Sequence, residues 1–186
     1  MLTERFERAL VYATRLHRDQ RRKGSGVPYI SHLLAVCALT IEYGGDEDEA
    51  IAALLHDAVE DQGGAAARAE ILRGFGPRVT EIVDGCTDAE GSPKPPWRGR
   101  KEAYIRRIEY ESSSVRLVSA CDKLHNARSL VMDYRNCGEA LWSRFTGGRE
   151  GTLWYYRAMV NALRGSGAVV EELDRVVTEL ETLASS

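Results

Sequence analysis

Long apolar runs are missing from this 186-residue chain. Its longest uninterrupted hydrophobic stretches, such as residues 33–39, fall far short of the ~20 residues that a membrane-spanning helix needs. The first residues include Glu4, Arg5, Glu7 and Arg8, which leaves no room there for a signal-peptide core. A cytoplasmic protein that makes no use of a membrane is therefore expected. An excess of positive charge is missing too. Lys and Arg total 25 against 28 Asp and Glu, a formal net charge of -3. Nothing in that balance attracts a nucleic-acid polymer, and an anionic ligand would need a local basic patch. Cysteine is scarce: Cys37, Cys86, Cys121 and Cys137 are far apart and form no CxxC pair. That excludes a disulfide scaffold and a CxxC-type zinc site, and it suits free thiols in a reducing compartment. Finally, no segment alternates with period two, so strands are not expected.

What remains is helical periodicity. Hydrophobic residues make up 44% of the chain and charged residues 28%, ordinary for a globular protein with a real core. Residues 1–186 read as one all-α domain. Phe6, Ala9, Leu10, Ala13 and Leu16 mark a first amphipathic helix, ending near Gln20. Residues 29–43 read as a second, apolar on most sides. Asp46 with Glu49 reads as a capping box opening a third. Further helices are expected over residues 66–73, 77–84, 102–110, 115–131, 153–163 and 169–183. Pro77 suits a first helical turn. Pro93, Pro95 and Pro96 make residues 87–99 an irregular loop, whose Lys94, Arg98, Arg100 and Lys101 offer positive charge.

Chemistry concentrates in three places. The first is His56-Asp57-Ala58-Val59-Glu60-Asp61. If the third helix continues through it, His56 and Glu60 share a face, as do Asp57 and Asp61. An imidazole and three carboxylates at the end of a buried segment suit a metal or a proton-transfer site, although a solvated acidic face has the same composition. The second is Asp122, which follows Val118-Ser119-Ala120-Cys121. A buried carboxylate needs a partner. A metal is one; Lys123 or Arg128 is another. The third is the cluster Arg18, Arg21, Arg22 and Lys23, closed by Gly24, Ser25 and Gly26. Arg22 and Lys23 are candidates for a phosphate clamp. His32, at the start of the second helix, fits a core role as well as a ligand role.

Together these stretches carry a resemblance. His32, His56-Asp57 and Asp122 have the order and spacing of the H…HD…D signature of HD-domain metal phosphohydrolases. The segments Arg22-Lys23-Gly24-Ser25-Gly26-Val27-Pro28-Tyr29-Ile30-Ser31-His32, His56 to Asp61, and Asp122-Lys123-Leu124-His125-Asn126-Ala127-Arg128 resemble the hydrolase domain of RelA/SpoT-type proteins. The resemblance covers about residues 3–165, with residues 166–186 as a C-terminal helix packing on its own domain. It implies an HD-domain helical bundle and a stand-alone small alarmone hydrolase, without room for synthetase or regulatory domains. It also implies that His32, His56, Asp57 and Asp122 hold one divalent ion, taken to be Mn2+. Glu60 and Asp61 would activate water and manage protons. Arg22 and Lys23 would neutralise phosphate, and Asn126 and, more weakly, Arg128 would contact the nucleotide. Arg149, Tyr155 and Tyr156 lie near where the family closes its pocket. The implied reaction is hydrolysis of the 3′-pyrophosphate of (p)ppGpp to GDP or GTP and pyrophosphate. Related substrates, such as (p)ppApp or the phosphate of NADPH, and a non-catalytic nucleotide sensor are the alternatives. Oligomeric state stays open.

Overall fold

The computed structural model describes residues 1–88 and 95–185. It contains helices α1 (Glu4–Leu16), α2 (Ile30–Glu42), α3 (Glu47–Leu55), α4 (Gly64–Phe75), α5 (Pro77–Cys86), α6 (Trp97–Ile108), α7 (Ser113–Cys137), α8 (Gly148–Ala162) and α9 (Ala168–Ser185). A π turn (Val59–Gly63) joins α3 to α4, and a 3-10 turn (Gly138–Arg144) joins α7 to α8. Among the described residues the only extended pairing is one isolated bridge, Arg21 with Pro28. The all-α expectation holds. No helix among these residues is long and apolar enough to cross a membrane.

α3 lies at the centre. Ala50, Ile51, Ala52, Ala53, Leu54 and Leu55 are fully buried, and the helix packs against α1, α2, α5 and α7. Truncating Ile51, Leu54 or Leu55 to alanine would cost about 2–5 kcal/mol, because a close-packed centre relaxes poorly around a cavity. The start of α3 is set locally. Asp46 Oδ1 accepts from the Glu49 amide at 3.1 Å, and Glu49 Oε2 accepts from the Asp46 amide at 2.7 Å. That is the capping box read from the sequence. Pro77 opens α5, also as read.

α7 is the long strut. It contacts α2, α3 and α5 on one side and α9 on the other. Ser112 caps its start, its hydroxyl accepting from the Val115 amide. α9 buries Val169, Val170, Leu173, Val176, Val177 and Leu180 against α7 and α8. The C-terminal helix thus packs on the rest of the chain.

Several boundaries move. α6 starts at Trp97 rather than residue 102, so Trp97, Arg98, Arg100 and Lys101 are helical. Pro93 and Lys94 of the expected loop lie outside the described residues. α7 runs six residues past its expected end at 131, to Cys137. α3 stops at Leu55, with His56 at its C-terminal boundary. All four cysteines are free; Cys37 and Cys121 are buried, while Cys86 and Cys137 are only partly so.

Candidate metal centre and adjoining cavities

Three helices deliver side chains to one point. His32 comes from the first turn of α2, His56 and Asp57 from just past the end of α3, and Asp122 from the middle of α7. His32, His56 and Asp122 are 1%, 3% and 6% exposed, so none of them is a surface group. His32 Nε2 lies 3.6 Å from Asp57 Oδ2 and 3.2 Å from Asp122 Oδ1. His56 Nε2 lies 3.0 Å from Asp57 Oδ2 and 3.7 Å from Asp122 Oδ1. Ligand atoms of His32, His56 and Asp57 all fall within 4.8 Å of one another.

The tautomer of His56 is set by its surroundings. Its Nδ1 donates to the Ala53 carbonyl at 2.8 Å. Nε2 is thereby turned toward the two carboxylates, yet it is buried without a hydrogen bond. A buried polar atom normally has a partner. Two imidazole nitrogens and two carboxylate oxygens, one nitrogen orphaned, make a donor set that a divalent cation fits. The electrostatics agree. Burial works against charge on Asp57 and Asp122, but His56 beside Asp57 and Lys123 beside Asp122 outweigh it and hold both carboxyls well below the usual range. Burial likewise opposes charge on His56, but Asp57 and Asp122 outweigh it and raise its pKa well above the ordinary value. The cluster is a pre-built hole for positive charge.

A second ring of contacts orients the first. His32 Nδ1 faces His125 Nδ1 at 2.8 Å. Burial, then His32 and Arg22, push His125 down to about 4, so its ring is neutral and can accept the His32 proton. The Tyr29 hydroxyl donates to Asp57 Oδ2 at 2.6 Å. Burial and the Asp57 charge raise the Tyr29 pKa, which keeps that hydroxyl a donor. Asn126 Nδ2 donates to Asp122 Oδ1 at 2.5 Å, and the Lys123 ammonium donates to Asp122 Oδ2. The lysine pairing read as an alternative to metal is therefore present; it occupies the oxygen turned away from the imidazoles.

Glu60 and Asp61 lie just beyond. The expected regular helix through residues 56–61 does not form. α3 ends, and Glu60 and Asp61 sit in the π turn, which is closed by Gly64 at φ +50°. The wider i→i+5 turn changes which side chains stack, so the strict four-residue pairing of His56 with Glu60 does not apply. Turns of this kind recur at functional sites. The Asp61 amide donates to the Asp57 carbonyl at 2.9 Å, which ties the acid pair to the cluster.

The substrate-side residues separate into two groups. Arg22 Nη2 donates to Asn126 Oδ1 at 2.9 Å, linking the loop after α1 to α7. A cavity of about 380 Å³ lies there, lined by Arg22, Lys23, Tyr29, His125, Asn126 and Tyr156 among others. A second, of about 260 Å³, shares Lys23, Asn126 and Tyr156 and adds Lys101, Lys123 and Trp97. Gly24, at φ +85°, lets its loop pass close to Arg144; a Cβ there would lie 2.7 Å from Arg144 Cδ. Arg128 is not brought in. Its guanidinium pairs with Glu172 of α9 at 2.9 Å and is 44% exposed. Arg149 bonds the Ala184 carbonyl at the end of α9, while Tyr155 and Tyr156 do line the cavities. The side chains to which the sequence reading gave no role are His125 and Tyr29. Each adjoins a recognised residue in the chain or within its motif, and that nearness was the available signal.

The chain is similar to known proteins. The HD-domain family model matches residues 9–153. The human guanosine-3′,5′-bis(diphosphate) 3′-pyrophosphohydrolase MESH1 is 34% identical over 87% of this chain and 86% of its own length. The mouse protein of that name is 33% identical over the same shares. GTP pyrophosphokinase rsh of Brucella melitensis is 37% identical over 67% of this chain, but this chain spans only 17% of its length. A solved metazoan orthologue of SpoT that hydrolyses ppGpp superposes with a TM-score of 0.80, at 30% identity and 95% coverage of both chains. An HD hydrolase implies the use of a divalent metal, which the His/Asp cluster is built to hold. The chain belongs to the HD-domain family of hydrolases, among relatives of MESH1 type that it matches over most of their length.

Proposed function

We propose that this protein hydrolyses the 3′-pyrophosphate of guanosine 3′,5′-bis(diphosphate) or its triphosphate analogue, giving GDP or GTP and pyrophosphate. One observation carries the reading. The four-donor cluster stands beside cavities lined by Arg22, Lys23, Lys101 and Lys123, so cation chemistry and polyphosphate recognition meet in one place. The relatives matched over most of their length bear that activity in their name.

His32, His56, Asp57 and Asp122 are the residues that would hold the ion. Two imidazoles with two carboxylates are a donor set that would suit Mn2+. When bound, the cation polarises the phosphoryl group and makes water a stronger acid. The protein does the rest. One carboxylate of the Glu60 and Asp61 pair takes a proton from the attacking water, as carboxylates at a reaction centre can, and the pair returns it to the leaving 3′-oxygen. Water adds to the phosphorus next to the ribose, the bond from phosphorus to the 3′-oxygen breaks, and that oxygen is reprotonated. Lys23, Lys101 and Lys123 offset the phosphate charge with charge-assisted hydrogen bonds. Arg22 adds its charge on the phosphate side, and Asn126, bonded to it, faces the sugar.

Purified protein with Mn2+ and a panel of ppGpp, pppGpp, ppApp and NADPH, followed by product chromatography, tests the reading. Pyrophosphate with GDP or GTP, formed fastest from the guanine pair, is the expected result. Inorganic phosphate from NADPH alone would replace it.

A further inference from the structure

A chain of side chains outside the metal cluster reaches Asp61 from the end of α1. His17 is 2% exposed and stacks on Tyr29, with ring centroids 5.5 Å apart at 18°. Its Nδ1 lies 2.5 Å from Gln20 Oε1. Gln62 Nε2 donates to the same oxygen at 2.6 Å. Gln20 Nε2 then donates to Asp61 Oδ2 at 2.8 Å. The Gln20 backbone is fixed as well. Its amide donates to the His17 carbonyl at 3.1 Å, and its carbonyl accepts from Tyr29 at 2.9 Å.

The direction of each bond follows from chemistry. Burial lowers the His17 pKa, so the ring is neutral and carries one proton. That proton sits on Nδ1, because the atom facing it is an amide oxygen. With Gln20 Oε1 accepting two bonds, its NH2 is turned the other way, toward a carboxylate, which can only accept. The reversed amide would place its oxygen against Asp61 and its NH2 against a donor. One orientation of Gln20 is therefore selected.

Asp61 itself is exposed, and the bond from Gln20 Nε2 to its Oδ2 narrows the rotamers that its carboxylate samples. We propose that Gln20, locked by His17 and Gln62, is a positioning residue that holds the Asp61 carboxylate for proton transfer. The inference rests on Asp61 taking part in the reaction. Misplacing a reacting group by a fraction of an ångström, or letting it wander, lowers turnover without altering what binds.

The test uses Gln20→Leu, Gln20→Glu, His17→Asn, His17→Phe and Asp61→Asn in the full chain with Mn2+. The measurements are kcat, KM, calorimetric Mn2+ affinity and melting temperature. Gln20→Leu should lower kcat about tenfold, with KM and Mn2+ affinity unchanged. Gln20→Glu, which keeps the shape and the acceptor but sets a carboxylate against Asp61, should lower it at least as far and gives a second reading if the leucine variant folds poorly. His17→Asn presents an amide NH near the place of Nδ1 and should keep most activity; His17→Phe should match Gln20→Leu. In the Asp61→Asn background, Gln20→Leu should cost nothing more. Full kcat in both Gln20 variants beside an inactive Asp61→Asn overturns the inference and leaves the functional reading intact. A further tenfold loss in the Asp61→Asn background overturns it too, since Gln20 would then act elsewhere. Full kcat in Asp61→Asn overturns the role of Asp61 and the inference with it.

Discussion

Replacing His125 with phenylalanine isolates one hydrogen bond beneath the metal cluster. The substitution keeps a ring of similar size and removes the acceptor that faces His32 Nδ1 at 2.8 Å. His32 is 1% exposed, so water cannot replace the lost partner. An unsatisfied buried donor costs about 1–3 kcal/mol, and the metal-free protein should lose that much in urea unfolding. The same bond keeps the His32 proton on Nδ1 and its lone pair on Nε2, toward Asp57 and Asp122. Losing such an outer contact typically weakens metal binding about 10–100-fold, equivalent to about 1.4–2.8 kcal/mol. The two magnitudes agree because they have one origin. His125→Asn offers a carbonyl oxygen near the place of Nδ1 and should recover much of both losses. Calorimetric Mn2+ titration and urea melts of the three proteins make the comparison. Wild-type Mn2+ affinity in His125→Phe, with stability alone reduced, would refute the argument and leave His125 as a packing ring.

Three further outcomes are expected. Lys101 lies 2.5 Å from Asp88 and lines the smaller cavity; Lys101→Ala should raise KM about 10–100-fold, the worth of a charge-assisted hydrogen bond to phosphate, with Mn2+ affinity unchanged in calorimetry. Arg128 spends its charge on Glu172 at the surface, so Arg128→Ala should leave KM within about twofold and cost under about 1 kcal/mol in thermal melts. The third concerns pH. His56 has a folded pKa well above its ordinary 6.5, so the folded metal-free protein binds the extra proton. Its contribution to stability is complete below that ordinary value and is lost as pH rises through the raised one. Asp57 and Asp122 are depressed; their contribution is present above the ordinary carboxylate value and is lost as pH falls through the lowered ones. A divalent ion held by the cluster would replace the His56 proton, so urea midpoints should fall on the alkaline side only in chelator-treated protein. Parallel curves with and without Mn2+ would contradict this.

Local signals were legible in the sequence because their physics is local. The Asp46–Glu49 capping box and Pro77 need only their own helices. His32, His56, Asp57 and Asp122 were legible through a pattern of residue types, and they do converge. Contacts that depend on which helix comes alongside were not. His125 reads as any residue of α7 until α2 brings His32 against it. Arg128 was ambiguous because nothing before the packing of α9 says that Glu172 stands opposite. The stop of α3 at Leu55 was hidden because residues 56–61 have helical spacing; the change to a wider turn is settled by burial of the flanking segments and by the glycines that follow. Trp97 opens α6 despite the prolines before it, where composition alone suggested irregular chain.

The π turn at Val59–Gly63 has a consequence for how such a site can change. A π turn is an ordinary helical turn that has gained a residue. Deleting Val59, with the change absorbed at Gly63 and Gly64 where α4 starts, would rotate Glu60 and Asp61 by roughly 100°, off their mark, while His56, Asp57 and Asp122 stay where their helices put them. The two halves of the motif are thus geared separately. A descendant could keep its cation and trade away its proton chemistry through a single codon.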